Sequence, residues 1–213
     1  MEFQIIAGEL CLDFINTLDN RPVPERLKEL LPSYQDLADW AVQAGALTPL
    51  QRSALLRAAG GYPQAAEQAL SKAIALRECL YRIVSSTLRN RRASSEDLTA
   101  LNAYLREALS NLELKATRRG FRLSWKDDPS RLDSILWPIV RSASELLRSP
   151  DLENVHECDM ADCRWIFVDR SKNHRRRWCE MKVCGNRAKV RKFYRRQKDG
   201  SGNRKRSVSA VTK

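Results

Sequence analysis

For about the first 150 residues, the hydrophobic positions recur mostly at helical spacing, and the breaks between them carry turn and cap chemistry. Residues 4–18 form an apolar stretch interrupted by Gly8 and then by Asp13, Asn16 and Thr17, which predicts a short strand or turn leading into a helix. Pro22, Pro24 and Pro32 mark an irregular connection. Ser33 then caps a helix reaching Ala44, with Leu37, Trp40, Ala41 and Ala44 on one face and Gly45 as its end. Thr48 followed by Pro49 starts another helix, and Gly60-Gly61 stops it before a longer one from Pro63 to Leu88. Ser94 or Ser95 opens a further helix through Leu98, Leu101, Leu105, Ala108 and Leu109.

Strict alternation replaces the helical period at Leu112-Glu113-Leu114-Lys115 and at Gly120 to Trp125, so a β-hairpin is expected there. A last helix from Arg131 to Arg148, kinked or offset at Pro138, precedes Ser149-Pro150-Asp151. The expected fold class is α+β: a mainly helical N-terminal domain with a small β-hairpin over residues 1–152, a treble-clef-like four-cysteine zinc finger over 153–198, and a disordered basic tail over 199–213.

Charge sharpens that division. Of the 38 Lys and Arg and 26 Asp and Glu, residues 158–213 hold 18 and 5, leaving the first 157 residues with 20 and 21. The whole positive surplus lies in the last quarter, which points to a polyanionic partner for that quarter. No stretch has the length and apolarity of a membrane span, and the start Met-Glu-Phe-Gln-Ile-Ile lacks the pattern of an export signal, so a cytoplasmic location and no membrane partner are expected. In such a compartment, clustered cysteines bind metal rather than forming disulfides.

Four of the six cysteines lie in two equal pairs: Cys158, four residues, Cys163, fifteen residues, Cys179, four residues, Cys184. Two such pairs can converge into the tetrahedral thiolate shell that structural zinc favours, and four thiolates leave no open position for a catalytic water. Iron–sulfur ligation is the weaker alternative, since its common spacings place cysteines two apart. Four unrelated core cysteines is the plain reading, and the symmetry of the spacing argues against it. Between the pairs, Trp165 to Val168 and His174 to Trp178 are expected to pair as a hairpin around Asp169 to Asn173, with Asp169 and Ser171 buttressing the turn and Trp165 and Trp178 shielding the sulfurs. With so small an apolar cluster, the finger is expected to draw most of its folding energy, about 10 kcal/mol or more, from zinc, apart from the body.

Gly185 permits close backbone approach at the second pair, and Asn186 to Lys198 contains no helix breaker. Wound as a helix, this segment gathers Val190, Phe193 and Tyr194 on one face, expected to pack, and Arg187, Lys189, Arg191, Lys192, Arg195, Arg196 and Lys198 around the rest. No acid occurs from Cys184 to Lys198. With Arg175, Arg176 and Arg177, these cations form the candidate nucleic-acid surface. Arg187 has two readings of equal weight, a contact to a guanine edge or a clamp on a carbonyl or an acid such as Asp169. His156 and His174 are spare metal ligands made unnecessary by the complete cysteine set, and Cys11 and Cys79 read as core.

In the body, Asp13, Asn16 and Thr17 share one side of a helix, where internal capping is favoured over a ligand pocket. Motifs for nucleotide binding, zinc hydrolysis and serine hydrolysis are missing from the sequence, so no catalysis is expected.

Cys184-Gly185-Asn186-Arg187, preceded by Phe167-Val168-Asp169, Ser171, Arg176-Arg177-Trp178-Cys179 and Met181, resembles the CGNR zinc finger. Leu12-Asp13-Phe14-Ile15-Asn16-Thr17 is similar to the start of the ABATE domain, which precedes that finger in bacterial proteins described as stress-induced transcription regulators. The resemblance implies a zinc-dependent regulator with double-stranded DNA as partner, its body sensing a small-molecule effector or another protein. An RNA-binding or translation-associated protein is the alternative. Arg164 and Arg175 depart from the pattern, standing where smaller residues are expected.

Overall fold

The computed structural model describes residues 2–204, with side chains to residue 197. Its core is built on α4 (Pro63–Leu88), against which α1 (Leu10–Ile15), α2 (Tyr34–Gln43), α3 (Pro49–Gly61) and α5 (Ser95–Ser110) pack, while α6 (Leu136–Leu147) lies across α1 and α5. The caps act as expected. Ser33 accepts the Asp36 N–H, Thr48 and Gln51 form a reciprocal capping box, and Ser94, rather than Ser95, accepts the Asp97 N–H. Gly45 follows α2 in the left-handed region at φ +74°. Pro138 falls in the first turn of α6, after a 3-10 turn at Leu132–Ile135; its missing N–H costs nothing there and the helix is offset rather than kinked.

Three antiparallel two-stranded ladders are present among the described residues. The proline-rich connection carries a short one, β1 (Leu18–Asp19) with β2 (Lys28–Glu29). The expected hairpin forms from β3 (Leu112–Thr117) and β4 (Gly120–Trp125), with Leu112 opposite Trp125 and Thr117 opposite Gly120. Among the described residues no strand precedes α1: residues 2–7 enter without regular structure, and Gly8 turns the chain at φ +87°.

The hairpin of the finger is not where the apolar pattern put it. Strand β6 (Ile166–Val168) pairs with β5 (Val155–Glu157), across the first cysteine pair, and residues 170–180 form no strand. The two strands thus emerge from the metal knuckle instead of lying between the two knuckles. Nor is the finger a separate small cluster. Ile166, Phe167 and Val168 are buried in the same apolar core as α1 and α6, so hydrophobic burial and zinc hold the finger together.

Helix α7 (Asn186–Arg204) follows the second knuckle directly. It extends past residue 198 into the expected tail, and residues 205–213 lie outside the described residues. No helix among the described residues is long and apolar enough to cross a membrane.

Candidate metal centre and nucleic-acid interface

The sulfur atoms of Cys158, Cys163, Cys179 and Cys184 all lie within 4.8 Å of one another and are buried. Cys179 Sγ is 3.6 Å from both Cys163 Sγ and Cys184 Sγ. A disulfide would need about 2 Å. The edge of a tetrahedron with zinc–sulfur arms of about 2.3 Å is about 3.8 Å, so the donor set fits one structural zinc. Hydrogen bonding to Cys158, together with burial, pushes the Cys163 and Cys179 thiols far above the ordinary range. Four thiolates held this close repel one another, and a divalent cation among the sulfurs offsets that repulsion.

The first knuckle closes by hydrogen bonds from the Cys163 and Arg164 N–H groups to the Met160 carbonyl, which throws Arg164 into the left-handed region at φ +59°. That conformation favours glycine, which explains why arginine looked out of place there; the side chain is held by an ion pair to Glu157. The second knuckle is a π-helical turn over Met181–Gly185, where the bare Gly185 Cα lets the Met181 thioether pack against it. Asn186 Nδ2 donates to the Lys182 carbonyl at 2.9 Å. Arg187 reaches across to Asp162 in the first knuckle, and Arg191 joins it at 2.8 Å. The four residues Cys184 to Arg187 therefore bind metal, leave room for Met181, tie the second knuckle and bridge to the first. Arg187 takes the acid-clamp role, on Asp162 rather than Asp169.

Asp162 was not singled out in the sequence, although it is an acid lodged inside a metal knuckle of a basic segment. Burial opposes its charge, and the guanidinium groups of Arg191 and Arg187 overcome that, holding the carboxyl below its ordinary range. Arg26 from the body adds a third cation at 3.4 Å. Asp169, also fully buried, accepts the Ser171 N–H and the Arg176 N–H, each at 2.8 Å. Burial again opposes the charge, and the hydrogen bonds hold the carboxyl at about 2. His174 Nδ1 bonds the Asp169 carbonyl, and neither histidine joins the sulfur cluster.

The polar trio of α1 and its C-terminal end is spent on the protein itself. Asp13 Oδ1 accepts the N–H groups of Ile6 and Ala7 at 2.8 and 2.9 Å, and burial raises this carboxyl to about 6. Asn16 donates to the Ile166 carbonyl at 2.8 Å and accepts the Ile166 N–H at 2.9 Å, replacing a neighbouring strand on β6. Thr17 donates to the Phe14 carbonyl and accepts from Arg77, itself buried against Glu29 and Glu78. The Asn16 bonds, with Val168 N–H to Ala7 O and Trp165 Nε1 to Asp19, latch the finger to the body, while those of Asp13 and Thr17 stay within the body.

A family model described as "ABATE: Putative stress-induced transcription regulator" matches residues 8–150. The chain belongs to the ABATE family. A second model, "CGNR zinc finger", matches residues 154–197, and the comparison with curated proteins returns no match.

In this ABATE protein the cations picked out in the CGNR finger divide by role, Lys198 lying outside the described side chains. Arg176 is turned inward: it donates to the carbonyls of Trp178, Ile6 and Cys179 and stacks 4.2 Å over the Phe167 ring. Arg187 and Arg191 hold Asp162, and Arg177 pairs with Asp159 at 2.6 Å while remaining exposed. Arg175, Lys189, Lys192, Arg195 and Arg196 are exposed and have no ion pair among the described residues. Val190, Phe193 and Tyr194, expected to pack, are exposed as well. The base of α7, at Asn186, Arg187, Ala188 and Arg191, meets the rest of the finger, and among the described residues the apolar face beyond it stays largely uncovered.

Proposed function

We propose that this ABATE protein is a zinc-dependent, DNA-binding transcription regulator. Zinc and Asp162 fix the base of α7, and the outward cations of that helix, with Arg175 on the preceding loop, follow a phosphate backbone. The observation carrying this reading is the division of labour among the arginines. Those near the knuckles are consumed in positioning the helix, while Lys189, Lys192, Arg195 and Arg196 are exposed on a helix with no neutralising acid in its first twelve residues. A helix about 10–12 Å across suits the B-form major groove, about 12 Å wide, and not the deep, narrow groove of A-form RNA. Duplex DNA is therefore preferred over RNA as the partner.

The body is read as sensing an effector or a partner through the resemblance alone: the cleft of about 270 Å³ beside Phe3, Trp165 and Arg187 is also walled by Cys163, Cys179 and Cys184, so it includes the metal site itself. No catalytic step is proposed for the body.

The test is selection of genomic fragments by the zinc-loaded protein at near-physiological salt, with an RNA pool as competitor. Enrichment of a defined duplex motif that RNA does not displace is the expected result. Uniform binding, or displacement by RNA, would overturn the reading.

A further inference from the structure

Helix α7 carries a second stripe that the phosphate-binding reading leaves unused. Val190, Phe193 and Tyr194 are 54 %, 57 % and 61 % exposed. They span an arc of about 100° on the helix, and Lys189, Lys192 and Arg196 span an adjoining arc of about 60°. The rings of Phe193 and Tyr194 meet edge to face, 5.8 Å apart and at 73°, which leaves a face of each ring open. Water is a poor partner for such a stripe, and within this chain nothing among the described residues covers it.

What covers it is set by charge. From Asn186 to Arg204 the sequence has eight Lys and Arg and one Asp. Packing two such helices stripe to stripe would bring their axes to about 8–10 Å and crowd like charges, so a second copy is a poor occupant. A polyanion is a good one, provided it also offers apolar surface beside its phosphates. In the major groove of duplex DNA that surface is the 5-methyl group of thymine.

We propose that Val190, Phe193 and Tyr194 are the base-contacting edge of α7, meeting thymine methyl groups in the major groove while Lys189, Lys192 and Arg196 hold the flanking phosphates. The inference rests on the DNA-binding reading above and adds to it the chemistry of sequence preference. It makes A·T-containing sites the preferred class.

The test uses the full zinc-loaded chain with mixed-sequence duplexes of about 30 base pairs, synthesised either with thymine or with uracil throughout, and the corresponding single strands. Wild type is expected to favour the thymine duplex by about four-fold for each methyl group buried. The double variant Phe193→Ala/Tyr194→Ala should lose that preference and about ten-fold in affinity, with the slope of log K against log salt unchanged. Lys192→Gln/Arg196→Gln should do the reverse, lowering the slope and keeping the preference. All four side chains are exposed, and unchanged zinc content and circular dichroism would verify that the variants fold.

Equal affinity for thymine and uracil duplexes would overturn the inference, as would a preference that survives in the aromatic variant. Tighter binding of single strands would overturn it in favour of base stacking. Loss of self-association by the aromatic variant in sedimentation, with DNA binding intact, would instead make the stripe a contact between copies. If wild type bound none of these nucleic acids, the DNA-binding reading itself would fall and take this inference with it.

Discussion

Replacing Asn16 by alanine should destabilise helix and finger together. The Asn16 side chain is buried and satisfies both backbone groups of Ile166, a residue 150 positions away and itself fully buried. Alanine removes the donor and the acceptor at once and gives Ile166 no access to water in exchange. Each buried backbone group left unpaired costs roughly 1–3 kcal/mol, so the loss is about 2–6 kcal/mol, against a total stability of about 5–15 kcal/mol for a folded domain. For a chain of this size each kcal/mol is worth about 2–4 °C, which places the fall in melting temperature at roughly 5–20 °C. The assay follows helix content by far-ultraviolet circular dichroism and zinc release by a chromophoric chelator in the same melt. Both signals should move down together, because Asn16 joins α1 to the strand leaving the first knuckle. Asn16→Asp keeps the acceptor and loses the donor, and should also be destabilised. A fall under about 2 °C, or zinc release shifting without the helical signal, would refute the claim that the two parts share one core.

Three buried acids, Asp13, Asp169 and Asp162, should also respond in distinct ways. Asp13, raised to about 6, contributes stability that is present below its unfolded value of 3.8 and lost as pH rises through 6. Asp13→Asn keeps an oxygen for Ile6 and Ala7 and cannot ionise, so its unfolding free energy from urea titration should gain on wild type by about 1 kcal/mol between pH 5 and 8; a constant difference would contradict the assignment. Asp169, held at about 2, behaves oppositely, its contribution being present above 3.8 and lost only as pH falls through 2. Asp162→Ala should free Arg187 and Arg191, and hydrogen exchange in the first two turns of α7 should rise about ten-fold or more while α4 stays protected. Unchanged exchange there would mean that the zinc knuckles alone hold the helix.

Features fixed by near neighbours were readable from the sequence. Ser33, Thr48 and Ser94 signal their helices because capping acts over three residues, β3 and β4 show their shared apolar face by alternation, and the cysteine spacing shows a closed shell. Features that depend on tertiary partners were not. The segment Trp165 to Val168 reads as a strand, but nothing local says that it pairs with the three residues Val155 to Glu157 rather than with His174 to Trp178. Asn16 reads as a polar residue needing satisfaction, and its partner lies at the far end of the chain. The period of α7 shows that Val190, Phe193 and Tyr194 share a face, yet periodicity is the same whether that face is packed or bare. Asp162 could have been found by asking why a knuckle ahead of a basic helix with no acid before Asp199 keeps an acid beside a ligand.

The central claim is that zinc holds α7 in the position from which it binds DNA. Its most direct test is the affinity of the zinc-loaded protein for a duplex it has selected, measured beside Cys179→Ser, with bound zinc counted in both. Wild type should hold one zinc and bind measurably, and the variant should lose both. Equal DNA affinity in a variant that holds no zinc would contradict it.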